Sequence, residues 1–225
     1  MNRHDSIVAN ISEVSERIAL AAVKSGRSLV DVTIIAATKG FSAEDVAVAF
    51  EAGIRHFGEN YVQEALAKQP NCPPDIVWHY IGNLQSNKVK KVASHFDWVH
   101  TLDNEDKAER LSAWVDSPIN VLIEVNIASE PQKGGIFPEN LAEIVENVYY
   151  LPKLRLRGLM TMGPLNLNPE SVRPYFAKMR RLKDEMRVQG TGCLSMGMTS
   201  DYEVAIEEGA THVRIGTGIF GTRTK

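Results

Sequence analysis

The chain of 225 residues holds only two cysteines, Cys72 and Cys193. They stand far apart and in no metal-type spacing, which argues against a disulfide framework or a zinc site and fits a reducing compartment. Positive charge is not in excess. The formal net charge is −3, whereas dedicated nucleic-acid binders carry a basic surplus. No apolar run approaches the roughly 18 residues of a membrane span. The opening Met1-Asn2-Arg3-His4-Asp5 begins a polar helix and not a signal peptide. The chain lacks a Pro/Gly/Ser-rich linker, a charge block and a low-complexity segment. No Gly-x-Gly-x-x-Gly follows the first strand pattern, which weakens a dinucleotide-binding reading. What remains is ordinary globular composition, 44% hydrophobic and 24% charged. Without a linker, residues 1–225 read as a single domain of a cytoplasmic protein.

Short β-rich runs alternate with longer amphipathic patterns. Strands are expected near residues 32–38, 54–57, 77–81, 98–101, 119–125, 155–160, 192–196 and 212–215. Helices are expected over 42–52, 60–69, 86–94, 104–115, 138–150, 170–189 and 200–208, with an extra helix over about 5–25 ahead of the first strand. Ser42 and Asn104 stand where N-caps belong, and Gly53 and Gly209 where C-cap glycines belong. Repeated strand-then-helix units imply right-handed crossovers and a parallel sheet. About eight such units give an α/β fold, a (β/α)8 TIM-like barrel with an added N-terminal helix. A doubly wound open sheet is the alternative, because periodicity cannot show closure.

In such a barrel the residues just after each strand share one face, where barrels keep their chemistry. Lys39 closes the run Val32-Thr33-Ile34-Ile35-Ala36-Ala37-Thr38. It is either a surface lysine opening a loop or an amine that attacks an aldehyde. The last two strand ends, Gly197-Met198-Thr199-Ser200 and Gly216-Thr217-Gly218, are either two helix caps with turn glycines or hydroxyls and bare backbone at helix starts that hold a phosphate, and their joint placement favours the phosphate. Arg214 lies within a strand, where it sits in a structural ion pair or faces a ligand. His79, between Trp78 and Tyr80, is either a satisfied core histidine or an imidazole against a flat ligand. Met160, Met162, Met196 and Met198 fit core packing or the wall of an apolar pocket, and Met196 is taken with the ligand-lining set. The run Asn87-Lys88-Val89-Lys90-Lys91 reads as a solvated basic helix face.

Several segments together carry a resemblance. They are Thr38-Lys39, Phe57-Gly58-Glu59-Asn60-Tyr61-Val62-Gln63-Glu64, Trp78 to Lys88, Gly158-Leu159-Met160-Thr161-Met162, Leu194 to Asp201, and Val213 to Gly221. In this order they resemble the YggS/PROSC family of pyridoxal 5′-phosphate (PLP) binding, or PLP homeostasis, proteins. The resemblance covers nearly the whole chain and implies a barrel like the N-terminal domain of alanine racemase. It implies PLP held as a reversible Schiff base on Lys39, the phosphate at Thr199, Gly216 and Thr217, and Arg214 near the pyridine nitrogen. It also implies Asn60 and His79 lining the cofactor, with Tyr61 in the same motif. The family often has serine where this chain has Thr38 and Thr199, and Gly40-Phe41 after the lysine is less usual. The hydroxyls are kept, so these departures bear on geometry and on the loop over the pocket.

Three activities are weighed. A racemase of this barrel type needs a second base from an added β-domain, and no residues remain for one after Lys225. A carrier without dedicated turnover is therefore the first expectation: a monomer that serves vitamin B6 homeostasis and supplies PLP-dependent apo-enzymes. A racemase-like PLP enzyme is the second. A Schiff-base aldolase without PLP is the third, since Lys39 falls at the first strand and the familiar barrel aldolases place their lysine later.

Overall fold

The computed structural model describes residues 2–164, 167–186 and 188–222. Among them, eight short strands follow one another in chain order. They are β1 (Thr33–Ala37), β2 (His56–Glu59), β3 (Val77–Tyr80), β4 (Trp98–Leu102), β5 (Ile119–Glu124), β6 (Leu154–Met160), β7 (Cys193–Met198) and β8 (His212–Ile215). Each strand pairs in parallel with the next, and β8 returns to β1 with Thr33 opposite His212 and Ala36 opposite Ile215. That last pairing closes the barrel and decides against the open sheet.

The helices are α1 (Arg3–Lys24), α2 (Ala43–Glu51), α3 (Val62–Lys68), α4 (Val89–Ala93), α5 (Glu105–Trp114), α6 (Leu141–Tyr149), α7 (Pro169–Glu185), α8 (Tyr202–Glu207) and α9 (Thr217–Phe220). Ser42 accepts from the Asp45 N–H and Asp45 returns a bond to the Ser42 N–H, a reciprocal cap that starts α2. Asn104 accepts from the Lys107 N–H at 2.9 Å and starts α5. Gly53 and Gly209 have φ of +102° and +99°, the left-handed conformation that ends a helix.

Most expected spans shift by one to three residues at their ends; β2 and α7 show why, and α9 is an element the sequence reading did not include. β2 runs two residues later than its apolar pattern, through Gly58 and Glu59, because Ile54 belongs to the outer core. α7 stops at Glu185, short of residue 189, and residue 187 of the expected span lies outside the described residues. α9 is one turn that its Gly-rich sequence does not announce.

α1 buries Ile7, Ile11, Val14, Ile18, Ala21 and Ala22, spaced three or four apart. It lies behind the last strand end. Asn10 Nδ2 donates to the Ile219 carbonyl at 2.9 Å, and Arg3 forks onto Asp45 at 2.5 and 2.7 Å.

Alternation along the strands separates two interiors. Ala36, Phe57, Trp78, Val99, Val121, Leu194 and Val213 face the helices and form the main apolar core. The opposite set points inward and is largely polar: His79, His100, Ser195 and Arg214 are all buried. Below them Thr33, His56, Trp98, Asn120, Arg157, Cys193 and His212 line the N-terminal mouth. Gly58 belongs to the inward set, where a β-carbon would lie 2.8 Å from Ile81 Cδ1 and 2.9 Å from Ile35 Cγ2. A side chain there would collide inside the barrel.

Candidate functional site

Lys39 occupies the corner of a tight turn at the end of β1. The Phe41 N–H donates to the Thr38 carbonyl at 3.0 Å, closing the turn, and Gly40 in third place has φ +75°. A turn with positive φ at its third residue strongly favours glycine there, which accounts for Gly40. Lys39 is half-buried, and its ammonium sits 4.8 Å from the centroid of the Tyr61 ring. Asn60, beside Tyr61, passes so close to β3 that a β-carbon on Gly82 would lie 2.0 Å from the Asn60 carbonyl oxygen.

The ends of β7 and β8 lie next to this turn, since β8 is the neighbour of β1. The Met198 N–H donates to Asp201 Oδ1 at 2.6 Å, and the Asp201 N–H donates to the Met198 carbonyl at 3.0 Å. This turn carries Thr199 and leads into α8. Gly216 precedes α9, and a β-carbon on it would sit 3.3 Å from the Ala37 carbonyl. The Gly218 N–H reaches Thr199 Oγ1 at 3.3 Å, so the two loops meet. A β-carbon on Gly218 would lie 2.9 Å from Ile215 Cγ2 and 3.1 Å from Thr199 Cγ2. Bare backbone, a threonine hydroxyl and first-turn N–H groups together fit an anion of phosphate size.

Arg214 lies beneath this cradle, buried and pointing inward. It donates to Ser195 Oγ at 2.6 Å and to the Thr161 carbonyl at 2.9 Å. Among the described residues no carboxylate lies within ion-pair distance of it. Burial lowers its pKa to about 10, against the pull of Glu124 and Asp201. A guanidinium has five N–H donors, so this one keeps donors for a ligand acceptor.

From Ser195 a column of imidazoles descends through the barrel. His100 Nδ1 is 3.0 Å from Ser195 Oγ, His79 Nδ1 is 2.8 Å from His100 Nε2, and His56 Nδ1 is 2.9 Å from His79 Nε2. Arginine can only donate, so Ser195 Oγ accepts from it. With the rings neutral, each further contact of the column pairs one donor with one acceptor, in the sense the tautomers set. Burial holds His79 and His100 well below the ordinary histidine pKa, reinforced by neighbouring histidines. It holds His212, at the mouth, at about 4. Glu124, at the inner end of β5, is pushed up to about 7 by burial and then by Asp103.

The structure gathers Lys39, Thr199, Gly216 and Thr217 on one rim, with Arg214 below them and Asn60 on the Lys39 side. It does not bring Met196 there: that side chain is fully buried in the outer core between sheet and helices, on the opposite face of β7 from Ser195. Nor is His79 at the rim. It is fully buried, both ring nitrogens are taken by other histidines, and it stacks on Trp98 at 5.4 Å. It reaches the rim only through His100, Ser195 and Arg214. Sequence reading gave no role to His56, His100 or Glu124, which strand alternation would have placed inward. It also passed over Lys68, whose spacing from Glu64 looks like a surface pair.

Residues 5–224 match the family model described as alanine racemase, N-terminal domain. The pyridoxal phosphate homeostasis protein of Pseudomonas aeruginosa is 44% identical over 222 residues, covering 97% of this chain and 96% of that protein. The structure of PipY from Synechococcus elongatus with PLP bound has a TM-score of 0.80 and 37% identity, covering 92% of this chain and all of that one. Histidine racemase from Leuconostoc mesenteroides, at 16% identity and a TM-score of 0.74, shares the fold; the match covers 98% of this chain and 58% of that one.

Proposed function

The chain belongs to the alanine racemase N-terminal domain family, among its pyridoxal phosphate homeostasis proteins, and from that premise we propose that it binds PLP reversibly and buffers its supply. The observation that carries this reading is the placement of the Lys39 turn against the Thr199 and Gly216–Gly218 cradle, above a buried Arg214 with unused donors. When bound, PLP supplies an aldehyde that condenses with a primary amine with loss of water, and a phosphate that seeks N–H and O–H donors.

Each residue then has a task. Lys39 presents the amine that attaches the cofactor covalently. Thr199 Oγ1 and the backbone of Gly216, Thr217 and Gly218 hold the phosphate end. Asn60 lines the Lys39 side. Arg214 would take the ring-nitrogen end, where a fixed positive charge would disfavour protonation of that nitrogen. A ring left unprotonated is a weaker electron sink, which supports a carrier without dedicated turnover. In this reading the protein acts as a cytoplasmic monomer that supplies PLP-dependent apo-enzymes. Both cysteines are free thiols, and among the described residues no helix is long and apolar enough to cross a membrane.

The test is the visible absorption spectrum of the protein given PLP, beside Lys39→Ala, followed by borohydride reduction and peptide mass mapping. A visible band and a reduced adduct on Lys39, both lost in the variant, are expected. Sustained turnover of amino acids by the loaded protein would overturn the carrier reading, and an adduct elsewhere would overturn the role of Lys39.

A further inference from the structure

The backbone on both sides of Lys39 is held by a charge cluster that none of the roles above uses. Lys68, in the last turn of α3, is buried although it lies on a short helix of the outer layer. Its ammonium donates to the Thr38 carbonyl at 2.7 Å, to Glu59 Oε1 at 2.5 Å and to Glu64 Oε1 at 3.2 Å. An ammonium has three N–H groups, so all are satisfied. The acceptors in turn grip the Lys39 turn. Thr38 Oγ1 donates to Glu59 Oε1 at 2.6 Å, and the Gly40 N–H donates to Glu64 Oε1 at 2.5 Å. The residue before Lys39 and the residue after it are thus tied to a single buried cation. Glu59 is fully buried at the end of β2, and its second oxygen has no partner. Burial raises its pKa, with Lys68 pulling the other way. A buried ion pair contributes little net stability for its desolvation and is strongly destabilising when one partner is removed. Such an arrangement is better explained by fixing a geometry than by strengthening the fold.

We infer that Lys68, with Glu59 and Glu64, is the positioning group for Lys39, clamping the turn so that its amine meets a carbonyl carbon bound in the adjacent cradle. This rests on the reading of Lys39 as the attachment point.

Four chains test it: the parent, Lys39→Ala, the double variant Glu59→Gln/Lys68→Met, and Glu64→Ala. The double change removes both buried charges together, leaving neither one unpaired. Each chain is titrated with PLP and reduced with borohydride, and the Lys39 adduct is quantified by mass mapping. Each is also titrated calorimetrically with pyridoxine 5′-phosphate, which has the ring and phosphate but no aldehyde. The double variant is expected to bind pyridoxine 5′-phosphate within about twofold of the parent. Its Lys39 adduct should fall ~tenfold or more, as when a reacting atom is displaced. Glu64→Ala should show the same split, to a lesser degree, and it decides the matter if the double variant fails to fold. The inference is overturned if both kinds of binding fall together, as a merely structural role requires, or if neither falls. If the parent's adduct maps to another residue and Lys39→Ala keeps it, the reading of Lys39 itself fails and takes the clamp with it; the two failures are thereby distinguished.

Discussion

Replacing His212 with Gln is expected to remove about 2 kcal/mol from the stability this protein loses between about pH 8 and about pH 5. The ring is almost fully buried at the N-terminal mouth, and burial lowers its pKa from 6.5 to about 4. In the unfolded chain the same ring takes up a proton near its ordinary value. Its stabilising contribution is therefore complete above that value and declines as the pH falls toward about 4. The loss is about 1.4 kcal/mol per pH unit, or ~2 kcal/mol by pH 5. His79, His100 and His56 are also held down by burial and add to the loss in the same direction. Glu124 opposes them. Its folded pKa of about 7 penalises the fold at high pH, and ~3 kcal/mol of that is relieved by pH 5. Glu59, also raised, moves in the same direction and trims the loss further. The parent's slope is the balance of these opposing groups, and the difference between parent and variant isolates His212. Urea denaturation of parent and variant across this pH series measures both the parent slope and its change in the variant. Identical pH dependence in the two proteins would refute the reasoning, because it would mean that His212 charges as freely in the fold as outside it.

Two further outcomes follow from glycines. Gly82→Ala would drive a β-carbon against the Asn60 backbone, which cannot swing aside, so a loss of about 3 kcal/mol is expected. On a chain of this size that lowers the melting temperature by roughly 6–12 °C, and calorimetry showing no change would contradict the close approach. Gly218→Ala would put a β-carbon 2.9 Å from the buried Ile215 Cγ2 and 3.1 Å from Thr199 Cγ2, so the turn that carries it must shift. It should weaken PLP binding about tenfold by titration; unaltered binding would remove that backbone from the phosphate cradle.

The fold was legible where pattern and cap agree. The apolar run of β1, the Ser42 and Asn104 caps and the glycines after α2 and α8 each follow from local chemistry, and the strand-helix alternation limited the topology. Closure was not legible, because a β8–β1 pairing leaves no mark on either strand alone. At the site, residues at strand ends could be read from position, as for Lys39, Thr199, Gly216 and Thr217. Residues within strands were harder. Trp78-His79-Tyr80 offers three large rings in a row, and only the observed pairing shows that His79 is the one turned inward. Met196 looks like a pocket wall until alternation places it outside the barrel. Lys68 carried no signal, since its burial depends on a carbonyl thirty residues away.

Most eight-stranded barrels of this kind fill their interior with branched aliphatic side chains. Those can be exchanged one for another at modest cost if volume is kept. The column from Arg214 through Ser195, His100 and His79 to His56 obeys another rule. Each contact along it pairs one donor with one acceptor, so changing a member leaves a buried polar group beside it without its partner. Descent with modification should therefore treat these five positions on five strands as one heritable unit, kept or replaced together. The apolar layer outside the barrel is free to change a residue at a time.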